Sequence, residues 1–298
     1  MSRYDIVLLT ESRYVSPRTI TPYIQNLLNE DAMVRSALES RGLAVTRIDW
    51  ADREFEWSSA HAALFRTTWD YFDHFPAFTR WLDGTSPKLR FINDISLIRW
   101  NMDKHYLADL EKKNIRTIPT LFLEQGETRT LQQIVGSVPW NDAVLKPAVS
   151  GGGKNTFRFN RKMFHDLEQT FSGLISGEAM MLQEFQNSIV TGGEIAVMVI
   201  DGIVTHAVQK RAKEGEFRVQ DDFGGTVHRY TPTTEEIEFA QSVVSHCTPK
   251  PVYARVDMIR DNEQQLSVVE LELIEPEMWF RFHPPAADRL ADAVVRMF

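Results

Sequence analysis

Two spacings of apolar residues alternate along the chain. Asp5 to Leu9 is a short apolar run, Ile24, Leu27, Leu28, Val34 and Leu38 recur at helical intervals up to Gly42, and Ala44 to Ile48 is a second short run. Strand, helix and strand in that order predict the start of an α/β unit. Ala62 to Phe65 and Arg90 to Ile92 add two short strands, and the aromatic segment Trp69 to Trp81 between them predicts a helix ending at Gly84. Residues 1–100 are therefore expected to form an open α/β domain.

A helix from Asp103 to Lys113 follows, with Tyr106, Leu107 and Leu110 on one face and Asn114 as its C-cap. The pattern then changes. Val144-Leu145 and Thr156 to Phe159 flank a Ser-Gly-Gly-Gly-Lys turn, Met163 to Ile175 predicts a helix, and Ala179 to Leu182 is apolar again. These segments predict a small α+β lobe over 101–185. From 186 to 298 antiparallel hairpins dominate. Ile195 to Ile200 and Ile203 to Val208 bracket Asp201-Gly202, Val252 to Ile259 pairs with Leu266 to Ile274, and Leu290 to Phe298 closes the chain as an amphipathic helix.

Composition narrows the class. The 298 residues are 43% hydrophobic and 25% charged, ample for a core without disulfides or structural metal. A net charge of −8 argues against a chain that coats nucleic acid or an anionic membrane. Ile6 to Leu9 is too short for a signal-peptide core, and the longest apolar stretch, Ile195 to Val208, is interrupted by Asp201-Gly202 and too short to span a bilayer. Cys247 is the only cysteine, which excludes an intrachain disulfide and a Cys-rich zinc site. A cytoplasmic protein acting on small molecules, without nucleic-acid or membrane partners, is the expectation; the oligomeric state, a homo-oligomer included, is open.

Candidate chemistry concentrates in the last two thirds. Gly151-Gly152-Gly153-Lys154 lacks the first glycine and the Ser or Thr of a Walker A loop, because Ala148 and Asn155 occupy those positions. Between two strands it is either a flap whose N–H groups close on phosphate or a plain hairpin turn. Lys146 lies within an apolar strand pattern, where it meets an anion or faces water from an edge strand. Asp257 stands on one strand of the last hairpin, and Glu270 and Glu272 share a face of the other. Three carboxylates together suit a hard divalent cation, with a solvated charged stripe as the alternative. Glu275 is a reserve ligand. Lys210, Arg211, Arg218 and Arg255 can neutralise phosphate or a substrate carboxylate. No HExxH helix and no GxSxG elbow is present, so zinc-protease and serine-hydrolase chemistry have no foothold.

In order, Asn101 to Lys104, Val144 to Pro147 with Ser150 to Lys154, Met181 to Phe185, Gly192 to Glu194, Arg255 to Asp257 and Glu270 to Pro276 resemble the ATP-grasp superfamily over nearly the whole chain. Arg66 to Tyr71, Trp100 to Lys104 and Gly215 to Gln220 are most similar to its prokaryotic glutathione synthetase-like group, which includes the cycloserine-forming cyclo-ligase. The resemblance implies an ATP-grasp fold, mixing α/β and α+β units, behind an N-terminal open α/β (pre-ATP-grasp) domain. It also implies ATP between two lobes, with Lys104 and Lys146 on the phosphates and Ser150, Gly151, Gly152 and Gly153 in a lid. Gln183, Glu184 and Phe185 would meet adenine and Glu194 the ribose. Asp257, Glu270 and Glu272 would hold one or two Mg²⁺ ions, or Mn²⁺, with Glu272 standing where the group usually has asparagine. Arg218 and Arg255 would stabilise the transferring phosphoryl group, and Lys210 and Arg211 would bind substrate. The implied reaction joins a carboxylate to an amine through an acyl phosphate, within one molecule where a ring is closed. A silent nucleotide-binding regulator and an ATP-grasp phosphotransferase are the other readings. Arg66 to Tyr71 either binds substrate or packs against the core.

Overall fold

The computed structural model describes residues 3–219 and 224–298; Gln220 lies outside the described residues. Four N-terminal strands, β1 (Tyr4–Thr10), β2 (Val45–Asp49), β3 (Ala60–Thr67) and β4 (Arg90–Ile92), form a parallel sheet in the order β2-β1-β3-β4. The helix Pro22–Glu39 connects β1 to β2 and begins where the Thr21 hydroxyl accepts the Ile24 N–H, with proline in its first turn. The helix Phe75–Thr85 lies within the connection from β3 to β4.

The middle of the chain builds an antiparallel sheet from β5 (Thr120–Leu123), β6 (Asp142–Pro147), β7 (Phe157–Asn160) and β8 (Met180–Glu184), ordered β5-β8-β6-β7. The last third builds a five-stranded one from β9 (Glu194–Ile200), β10 (Ile203–Arg211), β11 (Thr226–Tyr230), β12 (Tyr253–Arg260) and β13 (Leu266–Glu272), ordered β11-β10-β9-β12-β13. The β9–β10 hairpin turns at Asp201-Gly202, both at positive φ, as the sequence predicts. A single Thr117–Val268 bridge ties the connection into the middle sheet to the edge of the last one.

Two predicted helices are shorter or broken, each for a local reason. The expected helix Asp103 to Lys113 spans Tyr106–Lys112, because the Lys104 N–H is drawn to the Ala148 carbonyl at 3.0 Å and the Asp103 carboxylate takes the His105 N–H at 3.0 Å. Asn114 ends it at φ 62. The expected helix Met163 to Ile175 divides into a 3-10 turn, Arg161–Asp166, and an α-helix, Glu168–Ile175. The Asn160 side chain caps the first piece, which buries no residue, while Phe171 and Ile175 anchor the second in the core. Strands β5 and β11 and the helices Leu131–Gly136 and Thr234–Ser245 lie in stretches whose apolar spacing is weak. Both helices begin with a Thr-x-x-Gln/Glu capping box. The closing helix begins earlier than expected, at Pro285, and ends at Val295. Among the described residues no helix is long and apolar enough to cross a membrane.

The N-terminal sheet and the last sheet share a core. Ile6, Leu8 and Leu64 belong to one buried cluster with Met198, Ile200, Tyr253, Phe280 and Leu290. Buried Asn93 stitches the seam: its Nδ2 donates to the Tyr253 and Leu273 carbonyls at 2.8 and 2.9 Å, and its Oδ1 accepts the Val252 N–H at 2.6 Å. Asn93→Ala removes the side-chain partner of four backbone groups, the Tyr253 and Leu273 carbonyls and the Val252 and Tyr253 N–H groups. It is expected to cost about 3 kcal/mol and to lower Tm by several degrees in a thermal melt, whereas a change under about 1 °C would show the seam to be held elsewhere.

Candidate active site

Two cavities meet between the last two sheets and the N-terminal domain. The first, of about 140 Å³, lies between the middle and last sheets, and the second, of about 500 Å³, runs from β13 toward the N-terminal domain. Lys104, Ser150, Gly151, Gly152 and Glu270 line both, so the glycine loop and the first residue of the carboxylate cluster form their common wall.

Period-two alternation on β12 and β13 creates the charged centre. Asp257 pairs in register with Glu270, and Arg255 with Glu272, so all four side chains share one face. Carboxylate oxygens of Asp257, Glu270 and Glu272 lie within 4.8 Å of one another. Asp257 is 1% exposed and accepts from Arg255 Nη2 at 2.9 Å and Lys210 Nζ at 2.6 Å. Arg255 also pairs with Glu272, and Lys210 with Glu194. Lys104 Nζ lies 3.2 Å from Glu270 Oε1 and donates to the Ser150 carbonyl at 2.6 Å, joining the carboxylate cluster to the loop.

Charge placement sets the protonation states. Burial raises carboxyl pKa values here, yet Arg255 and Lys210 hold Asp257 low, and Lys104 and Lys146 hold Glu270 low. Burial dominates at Glu194 and Glu272, which rise to about 7 against the pull of Lys210 and Arg255. Burial lowers the Lys146 ammonium to about 8. Lys146 makes no hydrogen bond or ion pair among the described residues, although it lines the first cavity. An unpaired cation beside a glycine loop fits a phosphate, and an all-oxygen trio of carboxylates fits a hard divalent cation.

The loop itself is shaped for close approach. Gly152 and Gly153 take φ +57 and +69, the left-handed region. Gly151 does not, but a Cβ there would sit 2.5 Å from the Phe72 ring. Lys154 pairs with Asp73, so the loop rests on the N-terminal domain.

Most of the residues singled out in the sequence come together. Lys104, Lys146, Ser150, Gly151, Gly152, Gly153, Gln183, Glu184, Phe185, Glu194, Arg218 and Glu270 line the first cavity; Lys210, Arg255 and Glu272 line the second. Arg218 pairs with Glu216 at 2.6 Å at the first cavity's edge. Arg211 is the exception: strand alternation turns it away from buried Lys210, and its exposed guanidinium donates to Gln209 at 3.1 Å. The Glu184 and Phe185 N–H groups are bonded to the Pro119 and Asp142 carbonyls at 3.0 and 2.9 Å. Of the Arg66 to Tyr71 segment, Arg66 is buried on Glu30 at 2.6 Å, while Trp69 and Tyr71 line the second cavity.

Further residues shape the site without having been assigned a role from the sequence. Ile118, Val144, Ile259 and Val269 form an apolar slot from four separate segments. Trp279, at φ 47, covers the Arg255 guanidinium at 4.8 Å. The Asn101 side chain bonds the Leu271 carbonyl and the Leu273 N–H, both at 2.8 Å, and so fixes the strand around Glu272.

Comparison with known proteins agrees with this geometry. Residues 6–93 match the model described as D-cycloserine synthetase DcsG, N-terminal domain, and residues 104–274 match the RimK-like ATP-grasp domain. The cycloserine biosynthesis protein DcsG of Streptomyces lavendulae is 28% identical over 276 residues, covering 87% of this chain and 90% of that protein. A crystal structure of D-cycloserine synthetase DcsG superimposes with a TM-score of 0.86 at 23% identity, covering 98% of this chain and 99% of the other. A D-alanine–D-alanine ligase from Bacillus anthracis gives 0.62 at 15% identity, covering 98% and 96%. With the family model spanning residues 104–274, more than half of its length, the chain belongs to the RimK-like ATP-grasp family.

Proposed function

We propose that this ATP-grasp enzyme is an ATP- and Mg²⁺-dependent ligase that activates a carboxylate as an acyl phosphate and passes it to an amine. The observation that carries the reading is the unpartnered Lys146 ammonium on the first cavity together with the Asp257, Glu270 and Glu272 carboxylates converging within 4.8 Å, of which Glu270 lines that same cavity. Phosphoryl transfer needs positioning and charge neutralisation more than a nucleophilic side chain, and that is what these residues supply. Likeness to a cycloserine synthetase supports the ring-closing form of the reaction.

In this reading the adenine lies in the slot of Ile118, Val144, Ile259 and Val269, with Gln183, Glu184 and Phe185 at its rim and Glu194 toward the ribose. Lys104 and Lys146 meet the phosphates under the Ser150 to Gly153 loop. Asp257, Glu270 and Glu272 would hold Mg²⁺, which when bound would supply positive charge against the phosphoryl group. Arg255 and Lys210 reach the metal cluster from the side of the second cavity, where the acceptor binds. The closed loop excludes water that would hydrolyse an acyl phosphate. A small-molecule carboxylate and amine are the substrates, and the setting is the cytoplasm.

Lys146→Met is expected to reduce ADP release by about 100-fold or more, the scale of losing a group that stabilises transition-state charge. Removing a buried unpaired ammonium should at the same time raise thermal stability by on the order of 1 kcal/mol. Undiminished turnover would overturn the role. The same lysine sets a pH dependence. With its ammonium near 8, ATP affinity measured by calorimetry should fall from pH 8 toward 9.5, approaching tenfold per unit. Glu194 and Glu272, near 7, are largely ionised across that window. Lys146→Arg stays charged and should flatten the profile; a slope that persists in it would assign the titration elsewhere. With hydroxylamine as acceptor, an ADP-release screen over small carboxylates should yield a hydroxamate, whereas transfer to a hydroxyl yields none.

A further inference from the structure

His206 is half-buried on β10 and lines neither cavity. The ladder between β9 and β10 shifts register between Val204 and His206, the kind of irregularity by which a strand re-aims its side chains. Beyond the shift His206 pairs with Met198 and Lys210 with Glu194, so His206, Val208 and Lys210 stand on one face of the strand.

From that face the ring reaches the chain beyond β13. Its Nε2 lies 2.7 Å from the Met278 carbonyl, which can only accept, so Nε2 carries the proton; Nδ1 then accepts the Thr205 hydroxyl at 2.9 Å. Burial holds the ring below its ordinary value, at about 4, and keeps it in this neutral form. The same segment is held by Glu30, which accepts the Met278 and Phe280 N–H groups at 2.7 and 3.1 Å. Met278 is therefore gripped by both its N–H and its carbonyl.

The next residue, Trp279, is 4% exposed and takes φ 47 and ψ 43. This left-handed conformation is an outlier for so bulky a side chain and persists only where the surroundings over-determine it. It lays the indole over Arg255, 4.8 Å from guanidinium to ring centre, with Lys210 Nζ at 6.0 Å. Arg255 meanwhile donates from Nε and Nη2 to the two Asp257 oxygens, both at 2.9 Å, and from Nη1 to the Glu277 carbonyl at 3.3 Å. With its edge engaged by Asp257 and one face closed by the indole, the guanidinium has a single plane open to it.

We propose that His206 is a positioning residue: by holding the Met278 carbonyl it keeps Trp279 in place, and through the indole it fixes the plane of Arg255. The kinetic consequence rests on the ligase reading, in which Arg255 acts beside the metal cluster, whereas the placement of Arg255 can be read without turnover.

In ¹H–¹⁵N NMR of the full-length protein, the Arg255 Nε–H resonance, assigned by its loss in Arg255→Lys, reports on the ring above it. Trp279→Leu removes the ring current and defines the full shift. His206→Leu should move the resonance in the same direction by at least half that amount, and Thr205→Val by less. His206→Gln, whose amide keeps an N–H donor, should leave it close to wild type. A resonance unmoved in His206→Leu, or in the milder Thr205→Val where His206→Leu fails to fold, overturns the proposal. In steady-state kinetics with the carboxylate identified by the hydroxamate screen, His206→Leu should lower kcat about tenfold or more, within the roughly 100-fold that a displacement of about 1 Å can cost. The KM for ATP should stay within about twofold, and His206→Gln should restore most of kcat. Unchanged kcat, with or without a raised KM, would overturn the role, as would equal losses in His206→Gln and His206→Leu. No hydroxamate from any carboxylate would overturn the ligase reading and leave the Arg255 resonance to decide the placement.

Discussion

Charges buried between two sheets have to neutralise one another, and around β12 and β13 four carboxylates, Glu194, Asp257, Glu270 and Glu272, face four cations, Lys104, Lys146, Lys210 and Arg255. The low dielectric makes each pair strong and each unpaired member costly. Balance is kept without any bound ion, because Lys210 and Arg255 bracket Asp257.

The N-terminal domain belongs to this arrangement because it holds the strands that carry the charges. Buried Glu30, on the helix Pro22–Glu39, accepts the Met278 and Phe280 N–H groups at 2.7 and 3.1 Å and is itself neutralised by Arg66 at 2.6 Å. Those bonds flank Trp279, which lies over Arg255. Tyr253 adds a hydroxyl bond to the Ile274 carbonyl at 2.6 Å, just beyond β13. The carboxylate cluster is thus positioned from both sides, by Asn101 within its own half of the molecule and by Glu30 and Asn93 across the seam.

What the sequence revealed follows from how local each signal is. Asp257, Glu270 and Glu272 were legible because a period of two on adjacent strands fixes which side chains share a face. The hairpin at Asp201-Gly202 was legible from its turn residues. The same alternation should have separated Lys210 from Arg211, but a run of basic residues hides which of them points inward until the strand's partners are known. The apolar slot escaped because its four residues, Ile118, Val144, Ile259 and Val269, come from four segments, each reading as ordinary core. The division of the helix near Leu167 escaped because Met163 and Phe164 extend the apolar spacing although neither is buried.

Two adjacent glycines in the loop are required for unrelated reasons. Gly152 needs its missing side chain for the left-handed backbone, with open space around it, whereas Gly151 has an ordinary backbone and is confined by the Phe72 ring of another domain. Position 151 is consequently tied to position 72 and position 152 is not. Over the history of such a chain, a smaller residue at 72 would release 151 to drift, and the two sites would be inherited as a pair, while 152 would stay glycine whatever its neighbours became.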